Sequence, residues 1–436
     1  MTSKVNNYKE AFVWVWLPNQ IEPVVAGRLF ADGKSHVFNY GQSYLARDNA
    51  ISIYSKELPL KEGVLPLLTG LSMPGCLRDS SPDAWGRRVI INKTLGLKGE
   101  GAANIELSEL TYLLESGSDR IGALDFQQSA TEYVPRVSKN ASLDELLASA
   151  ERVEKGVPLS LELDLALHHG SSIGGARPKA LIEAEDKKYV AKFSTSSDLY
   201  SVVKAEFIAM RLAKLADINV APVELKKASG KDVLLIERFD RIHSDQGWFR
   251  KGMVSALTIL GLDEMMARYA SYEDLTHIIR QSFKNAPATL KELFQRIVFN
   301  ILCGNTDDHA RNHAAFWDGE MLELTPAYDL CPQARVGFEA TQAMLISGQE
   351  RASQIVTCLQ AAPLFLLSKK EAIDLVEAQI VSIGEQWQAV SEVAELNVTD
   401  KSLLWGRMFL NPYAFYGLDD KAKHLSEMAE ALRNRA

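Results

Sequence analysis

The spacing of apolar residues changes along the chain, and with it the predicted elements. Near the start, "AFVWVWL" is an unbroken apolar run, and "VAGRLF" and "SHVFNY" flank "ADGK". Asp32-Gly33 between two short apolar runs predicts a β-hairpin. Residues 63–95 read as helical, broken at Pro74-Gly75 and at Ser81-Pro82. "SLDELLASAERV" opens with Ser142 and Glu145, a reciprocal capping pair that predicts a helix start. From about residue 165 to 245 the pattern is mixed. A Gly-rich turn leads to two strands, "KALIEA" and "YVAKF", on either side of "EDKK". The helix "VKAEFIAMRLAKLAD" and the strand "DVLLIERFD" follow. Beyond about residue 250 helical spacing dominates, and Ser368 with Glu371 form a second capping box. No repeat and no low-complexity segment interrupts this order: β/α, then α+β, then mostly α.

Composition narrows the setting. With 436 residues the chain is long enough for two or three domains, and 47% hydrophobic with 24% charged residues is an ordinary globular balance. No apolar run reaches the length of about 18 residues that crosses a bilayer, so no membrane span is expected. "MTSKVNNYKEAFVWVWLP" lacks the order of a signal peptide. The cysteines, Cys76, Cys303, Cys331 and Cys358, are scattered without a C-x-x-C pair, which fits a reducing cytoplasm and argues against a zinc ribbon. A net charge of −8 and a pI near 5.6 argue against direct DNA binding as the main activity, unless a basic partner supplies the charge.

The densest chemistry is "CGNTDDHARNHAAFW", Cys303 to Trp317, directly after the greasy run "KELFQRIVFNIL". Two readings compete. A zinc site could use His309-x-x-x-His313, but a metalloprotease helix needs glutamate after the first histidine, and Ala310 stands there. A phosphotransfer loop could use Asp307 as base and Asn312, five residues on, as a Mg²⁺ ligand. That reading needs a second metal-binding Asp beside Asn312. Asp318-Gly319 predicts a hairpin with arms of similar length, so the returning chain reaches Asp329 close to Asn312.

Upstream, the turn "GSSIGGARPKA" fits neither a P-loop nor G-x-G-x-x-G, and by itself reads better as a plain loop. Its setting resembles a kinase small lobe. Two strands follow it, and Lys192 closes a Val-Ala-Lys sequence on the second. Glu206, on the next helix, could pair with that lysine. Glu237 and Phe239 end the strand that in kinases meets adenine. An exposed lysine, a solvated glutamate and a core strand ending in charges are the plain alternatives.

Taken in order, "LRDSSPDAWGRR", "SSIGGARPKA", "ERFDR", "NTDDHARN" and "LTPAYDL" resemble the HipA family of bacterial serine/threonine kinases, the toxins of HipA–HipB modules. The resemblance covers most of the chain. It implies an α+β, protein-kinase-like, two-lobed fold: a β-rich N-terminal subdomain (1–160), a small lobe with the Gly-rich loop (161–248) and a helical large lobe with the catalytic loop (249–436). ATP and Mg²⁺ would be the cofactors, bound between the lobes. Asp307 would be the catalytic base, and Asn312 and Asp329 the metal ligands. Lys192 would hold ATP phosphates, Ser172, Ile173, Gly174, Gly175 and Lys179 would help bind the nucleotide, Glu237 and Phe239 would meet adenine, and His309, also at the cofactor, would be a structural member of the catalytic loop. Ser172 would be an autophosphorylated serine that switches the enzyme off. The resemblance also implies a HipB-like antitoxin that carries the DNA contact, and an aminoacyl-tRNA synthetase as one possible substrate. One segment departs from the family: "FRKGMVSALTILGLDE" lacks the usual Gln-Glu-Asp. A small-molecule kinase and a non-enzymatic co-repressor remain as rival readings.

Overall fold

A computed structural model describes residues 8–95, 107–136, 141–154, 177–184, 186–195, 198–335 and 337–435. Contacts divide the chain into two compact units. The first comprises Met1–Ser197, Lys226–Val254 and Phe316–Glu320; the second comprises Asp198–Leu225, Ser255–Ala315 and Met321–Ala436.

The first unit holds two sheets. In one, β1 (Glu10–Val15), β2 (Val24–Asp32), β3 (Ser35–Tyr40), β4 (Val64–Leu65) and β5 (Leu124–Gln127) lie in the order β4-β3-β2-β1-β5. The apolar run that forms β1 pairs antiparallel with β2 on one side and β5 on the other, and Ala11, Val13, Trp14 and Val15 are buried. At the expected hairpin Asp32 stands opposite Ser35, and Gly33 takes φ +60°, which side chains disfavour. Residues 63–95 depart from the helical expectation. Val64–Leu65 pairs with β3, Gly75–Arg78 is one helical turn, and only Ala84–Leu95 (α1) is a sustained helix. Pro66, Pro74 and Pro82 cut the run into pieces too short to pay the nucleation cost of a helix.

The second sheet contains β6 (Lys179–Ala184), β7 (Lys187–Phe193), β8 (Val223–Ala228, where the chain re-enters this unit) and β9 (Lys231–Glu237), in the order β6-β7-β9-β8. Glu109–Glu115 forms α2 and Leu143–Glu154 forms α3. The capping box of α3 is present: Ser142 N donates to Glu145 Oε2 at 2.8 Å, and Glu145 N to Ser142 Oγ at 3.3 Å. Trp85 and Val89 of α1 and Leu146, Leu147 and Ala150 of α3 share one core with Ala180, Ala191, Phe193, Val233 and Leu235 of the sheet. A short ribbon, β10 (Arg241–Ser244) and β11 (Gly247–Arg250), follows β9.

The second unit is mostly helical. Its main helices are α4 (Val202–Leu215), α5 (Tyr272–Ser282), α6 (Ala286–Cys303), α7 (Lys369–Val393) and α8 (Lys423–Arg433). Every residue of α6 from Leu293 to Cys303 is buried, so the greasy run is a central helix. Ser368 and Glu371 cap α7 reciprocally, and α7 packs against α4 and α8. Among the described residues no helix is long and apolar enough to cross a membrane. All four cysteines are buried thiols.

Candidate active site

The densest polar stretch begins where α6 must stop. Gly304 adopts φ 75°, ψ 22°, and a Cβ there would lie 2.9 Å from Met408 O, so both conformation and space require glycine. Asn305 then fixes the exit: its N donates to Asn300 O at 2.8 Å and its Nδ2 to Asn300 Oδ1 at 2.9 Å. From here to His313 the chain is loop, not helix. The Asp307 carbonyl accepts from His309 N at 2.9 Å and from Asn312 Nδ2 at 3.1 Å. This closes a compact turn and accounts for the five-residue spacing. With Nδ2 committed, Oδ1 is the acceptor left on the Asn312 amide.

The hairpin returns the chain as its turn predicts. β12 (Ala314–Trp317) and β13 (Leu322–Leu324) flank Asp318-Gly319, and Thr325 N donates to Ala314 O at 3.0 Å. Tyr328 Oη donates to Arg311 O at 2.7 Å, which sets the returning strand beside the neighbour of Asn312. Asp329 follows with φ +60°, a left-handed conformation uncommon for a residue with a side chain. Asn305 Nδ2 reaches Asp329 O at 3.5 Å.

Electrostatics link these groups. Burial raises the Asp307 carboxyl above the usual carboxylate range, His309 opposes this, and the charges of Asp329 and Asp308 push it further up. Asp307 is open to solvent as a residue, yet its surroundings still desolvate the carboxyl. A divalent cation would relieve that repulsion. The donors present, the Asn312 amide oxygen and the Asp329 carboxylate, are hard oxygens of the kind Mg²⁺ takes, and would be the groups to hold it. Among the described residues no three His, Cys, Asp or Glu side chains gather into a closed metal cage.

Asp308 and His313 turn inward. Tyr272 Oη donates to Asp308 Oδ2, His313 Nε2 lies 2.9 Å from Asp308 Oδ1, and Tyr272 Oη lies 2.9 Å from His313 Nε2. Burial and then the Asp308 charge push the Tyr272 phenol well above its ordinary value, so it remains a donor. The Nε2 of His313 is therefore engaged inside the fold. Sequence reasoning missed Tyr272, because nothing local links it to the loop some 36 residues away.

In the first unit, Lys179 and Lys192 stand directly opposite each other on β6 and β7. Two like charges so placed repel unless an anion joins them. Lys179 is 2% exposed, with its Nζ 3.7 Å from Asp83 Oδ2, and its carbonyl accepts from Trp85 Nε1 at 3.2 Å. The string "LRDSSPDAWGRR" thus supplies the surroundings of Lys179. Glu237 pairs with Lys187 at 2.7 Å, and Phe239 meets Phe316 edge to face at 5.9 Å. Ser172, Ile173, Gly174 and Gly175 lie outside the described residues. Glu206 is buried on α4, in the second unit.

Arg238, Asp240 and Arg241 of "ERFDR" face the interior. Arg238 bonds Asp119 Oδ1 at 3.0 Å and Asp240 Oδ2 at 2.8 Å, and Arg241 bonds the same two atoms at 2.8 and 2.9 Å. Gly122 N donates to Asp240 Oδ2 at 2.8 Å. Burial alone would raise both carboxyls, but the arginines hold Asp119 well below its usual range and bring Asp240 down to about 2. The sequence marked three members of this cluster in "ERFDR" but gave no signal for Asp119, which lies in "ESGSDRIG".

Two family models match the chain. One, described as the HipA-like C-terminal domain, matches residues 171–392; the other, described as the HipA N-terminal domain, matches residues 15–127. A curated relative, the serine/threonine-protein kinase toxin HipA of Shewanella oneidensis, is 29% identical over 183 residues. That match covers 36% of this chain and 42% of the relative, less than half of its length. Among solved structures, HipA in the Shewanella oneidensis complex of HipA, HipB and operator DNA superposes with a TM-score of 0.64 at 19% identity, over 98% of this chain and 97% of that one. At that identity the likeness establishes a shared α+β fold.

Proposed function

Because the chain belongs to the HipA family, we propose that it is a serine/threonine-protein kinase, dependent on ATP and Mg²⁺, and the toxin of a toxin–antitoxin pair in the cytoplasm. The observation that carries this reading is the Asp307, Asn312 and Asp329 arrangement: a base candidate repelled by a neighbouring carboxylate, with the Asn312 amide nitrogen tied to the Asp307 carbonyl and the amide oxygen left as an acceptor.

In this reading the acceptor hydroxyl oxygen attacks the γ-phosphorus, its proton passes to Asp307, and the bridging oxygen departs with ADP. The raised Asp307 carboxyl is a better proton acceptor than an ordinary carboxylate. Asn312 and Asp329 would hold Mg²⁺, which when bound neutralises charge on the phosphates. Lys179 and Lys192, a cross-strand cation pair, would take phosphate oxygens, and Glu237 and Phe239 would meet the base. His309 favours the charged form of Asp307, against burial and the neighbouring carboxylates. Ser172 would be the site of self-phosphorylation that silences the enzyme.

A HipB-like antitoxin is the proposed partner. The relative solved with HipB and operator DNA supports it, and with a net charge of −8 this chain would reach DNA only through such a partner. A translation component such as an aminoacyl-tRNA synthetase is the proposed substrate. The test is incubation of wild type and Asp307→Asn with γ-labelled ATP, Mg²⁺ and lysate. Label on protein serine or threonine, absent with the variant, is expected; label only on small molecules would overturn the protein-kinase reading. Mass spectrometry of the same samples should find phosphate on Ser172 in wild type alone.

A further inference from the structure

The buried triangle of Tyr272, Asp308 and His313 touches none of the reacting atoms, yet it grips the loop at both ends. Asp308 directly follows Asp307, and His313 directly follows Asn312. The two grips meet side chain to side chain at 2.9 Å, so the stretch between them is closed a second time, in addition to the Asn312 Nδ2 bond to Asp307 O at 3.1 Å.

The phenol that joins them comes from a well-anchored position. Tyr272 is the first residue of α5, Ser271 caps that helix, and Tyr272 N donates to Leu345 O at 2.9 Å. Both Asp308 oxygens are engaged, one by Tyr272 and one by His313. This keeps the Asp308 side chain buried while Asp307, its neighbour in an irregular loop, stays exposed. On the other side, the His313 backbone is held where its carbonyl accepts from Ala256 N at 2.8 Å. His313 Nε2 faces a carboxylate oxygen and so carries the proton. Its Nδ1 is buried with no hydrogen-bond partner among the described residues, as fits a bare lone pair.

We propose that Tyr272, Asp308 and His313 are positioning residues: they fix the separation of Asp307 from Asn312 and keep Asp308 from swinging out as a competing metal ligand. The proposal rests on the kinase reading above. Without the triangle, Asp308, whose two oxygens Tyr272 and His313 now hold, would be free to turn outward beside its neighbour Asp307. A cation would then find several poorly defined ligand sets in place of one.

The test compares full-length wild type with Tyr272→Phe, His313→Ala and His313→Gln. Two quantities are read: the Mg²⁺ concentration for half-maximal phosphotransfer, and the Mg²⁺ concentration needed to raise the melting temperature in the presence of ADP. Tyr272→Phe and His313→Ala should shift both to higher Mg²⁺ and lower kcat by roughly tenfold to a hundredfold, the scale of an ångström-level misplacement. The KM for protein substrate should not change. His313→Gln keeps a donor nitrogen and should recover most of the loss. A purely structural role would reduce the folded, active fraction and leave both Mg²⁺ midpoints at wild-type values, which would overturn the proposal alone. A wild type that neither transfers phosphate nor is stabilised by Mg²⁺ with ADP would remove the kinase reading, and the proposal with it.

Discussion

Each unit buries a polar cluster, and the two are built on opposite terms. In the first, Arg238 and Arg241 meet Asp119 and Asp240, all nearly inaccessible, so full charges compensate one another inside the fold. In the second, a phenol, an imidazole and one carboxylate share a triangle, and the neighbouring carboxylate is left outside. As strings, "ERFDR" and "NTDDHARN" look alike: acids and bases packed closely after a hydrophobic element. One turns its Arg238, Asp240 and Arg241 inward as scaffold. The other splits adjacent aspartates between interior and surface, and that split leaves the Asp307 carboxylate exposed.

The contrast can be broken most forcefully in the first unit. Asp240→Ala leaves Arg238 and Arg241 short of a counter-charge in a buried site, and should cost about 3–5 kcal/mol of stability. Urea denaturation of the full chain measures this. A midpoint close to wild type would mean that the cluster is solvated.

Next in size are the exposed carboxylates of the second unit. Asp307→Asn and Asp329→Asn should each lower phosphotransfer by about a hundredfold or more, roughly 3 kcal/mol of transition-state stabilisation, with the melting temperature unchanged. Near-normal transfer by either variant would contradict its assigned role.

Acid separates the clusters further. The Asp240 carboxyl sits at about 2 in the fold, against roughly 3.9 for an unfolded aspartate, and Asp119 also lies low. Their stabilising contribution is therefore fully present above about pH 4 and is lost as pH falls toward 2, on the order of 2 kcal/mol for Asp240. Melting curves between pH 5 and pH 2 should show this slope in wild type and a shallower one in Asp240→Asn. Tyr272→Phe completes the series. It strands Asp308 Oδ2 without its donor and should destabilise by about 1–3 kcal/mol, read by thermal denaturation.

The sequence made local geometry legible and left the inward-facing chemistry hidden. Ser142 with Glu145, and Ser368 with Glu371, marked helix starts because a capping box needs only residues three apart. Asp318-Gly319 marked the turn that returns the chain past Arg311. By contrast, Arg238 and its partner Asp119 are 119 residues apart, and no local pattern links them. The five-residue spacing to Asn312 singled out Asp307, but no pattern showed that Asp308 turns in, where a phenol from α5 and a histidine after the loop hold it. Residues 63–74 misled because helical spacing was read across prolines that forbid the helix. The Gly-rich turn, with Ser172 to Gly175, remains a reading of sequence.

The hairpin tip has a consequence for the order of assembly. Phe316–Glu320 clusters with the first unit, where Trp317 Nε1 donates to Ser52 O at 2.8 Å across 265 residues of chain. On the ribosome, the N-terminal sheet emerges early but waits for that tryptophan. At about 5–20 residues per second the delay is on the order of tens of seconds. During that interval the surface meant for Trp317 stands open to other contacts, and two of the second unit's three segments, Asp198–Leu225 and Ser255–Ala315, are synthesised before the first is finished.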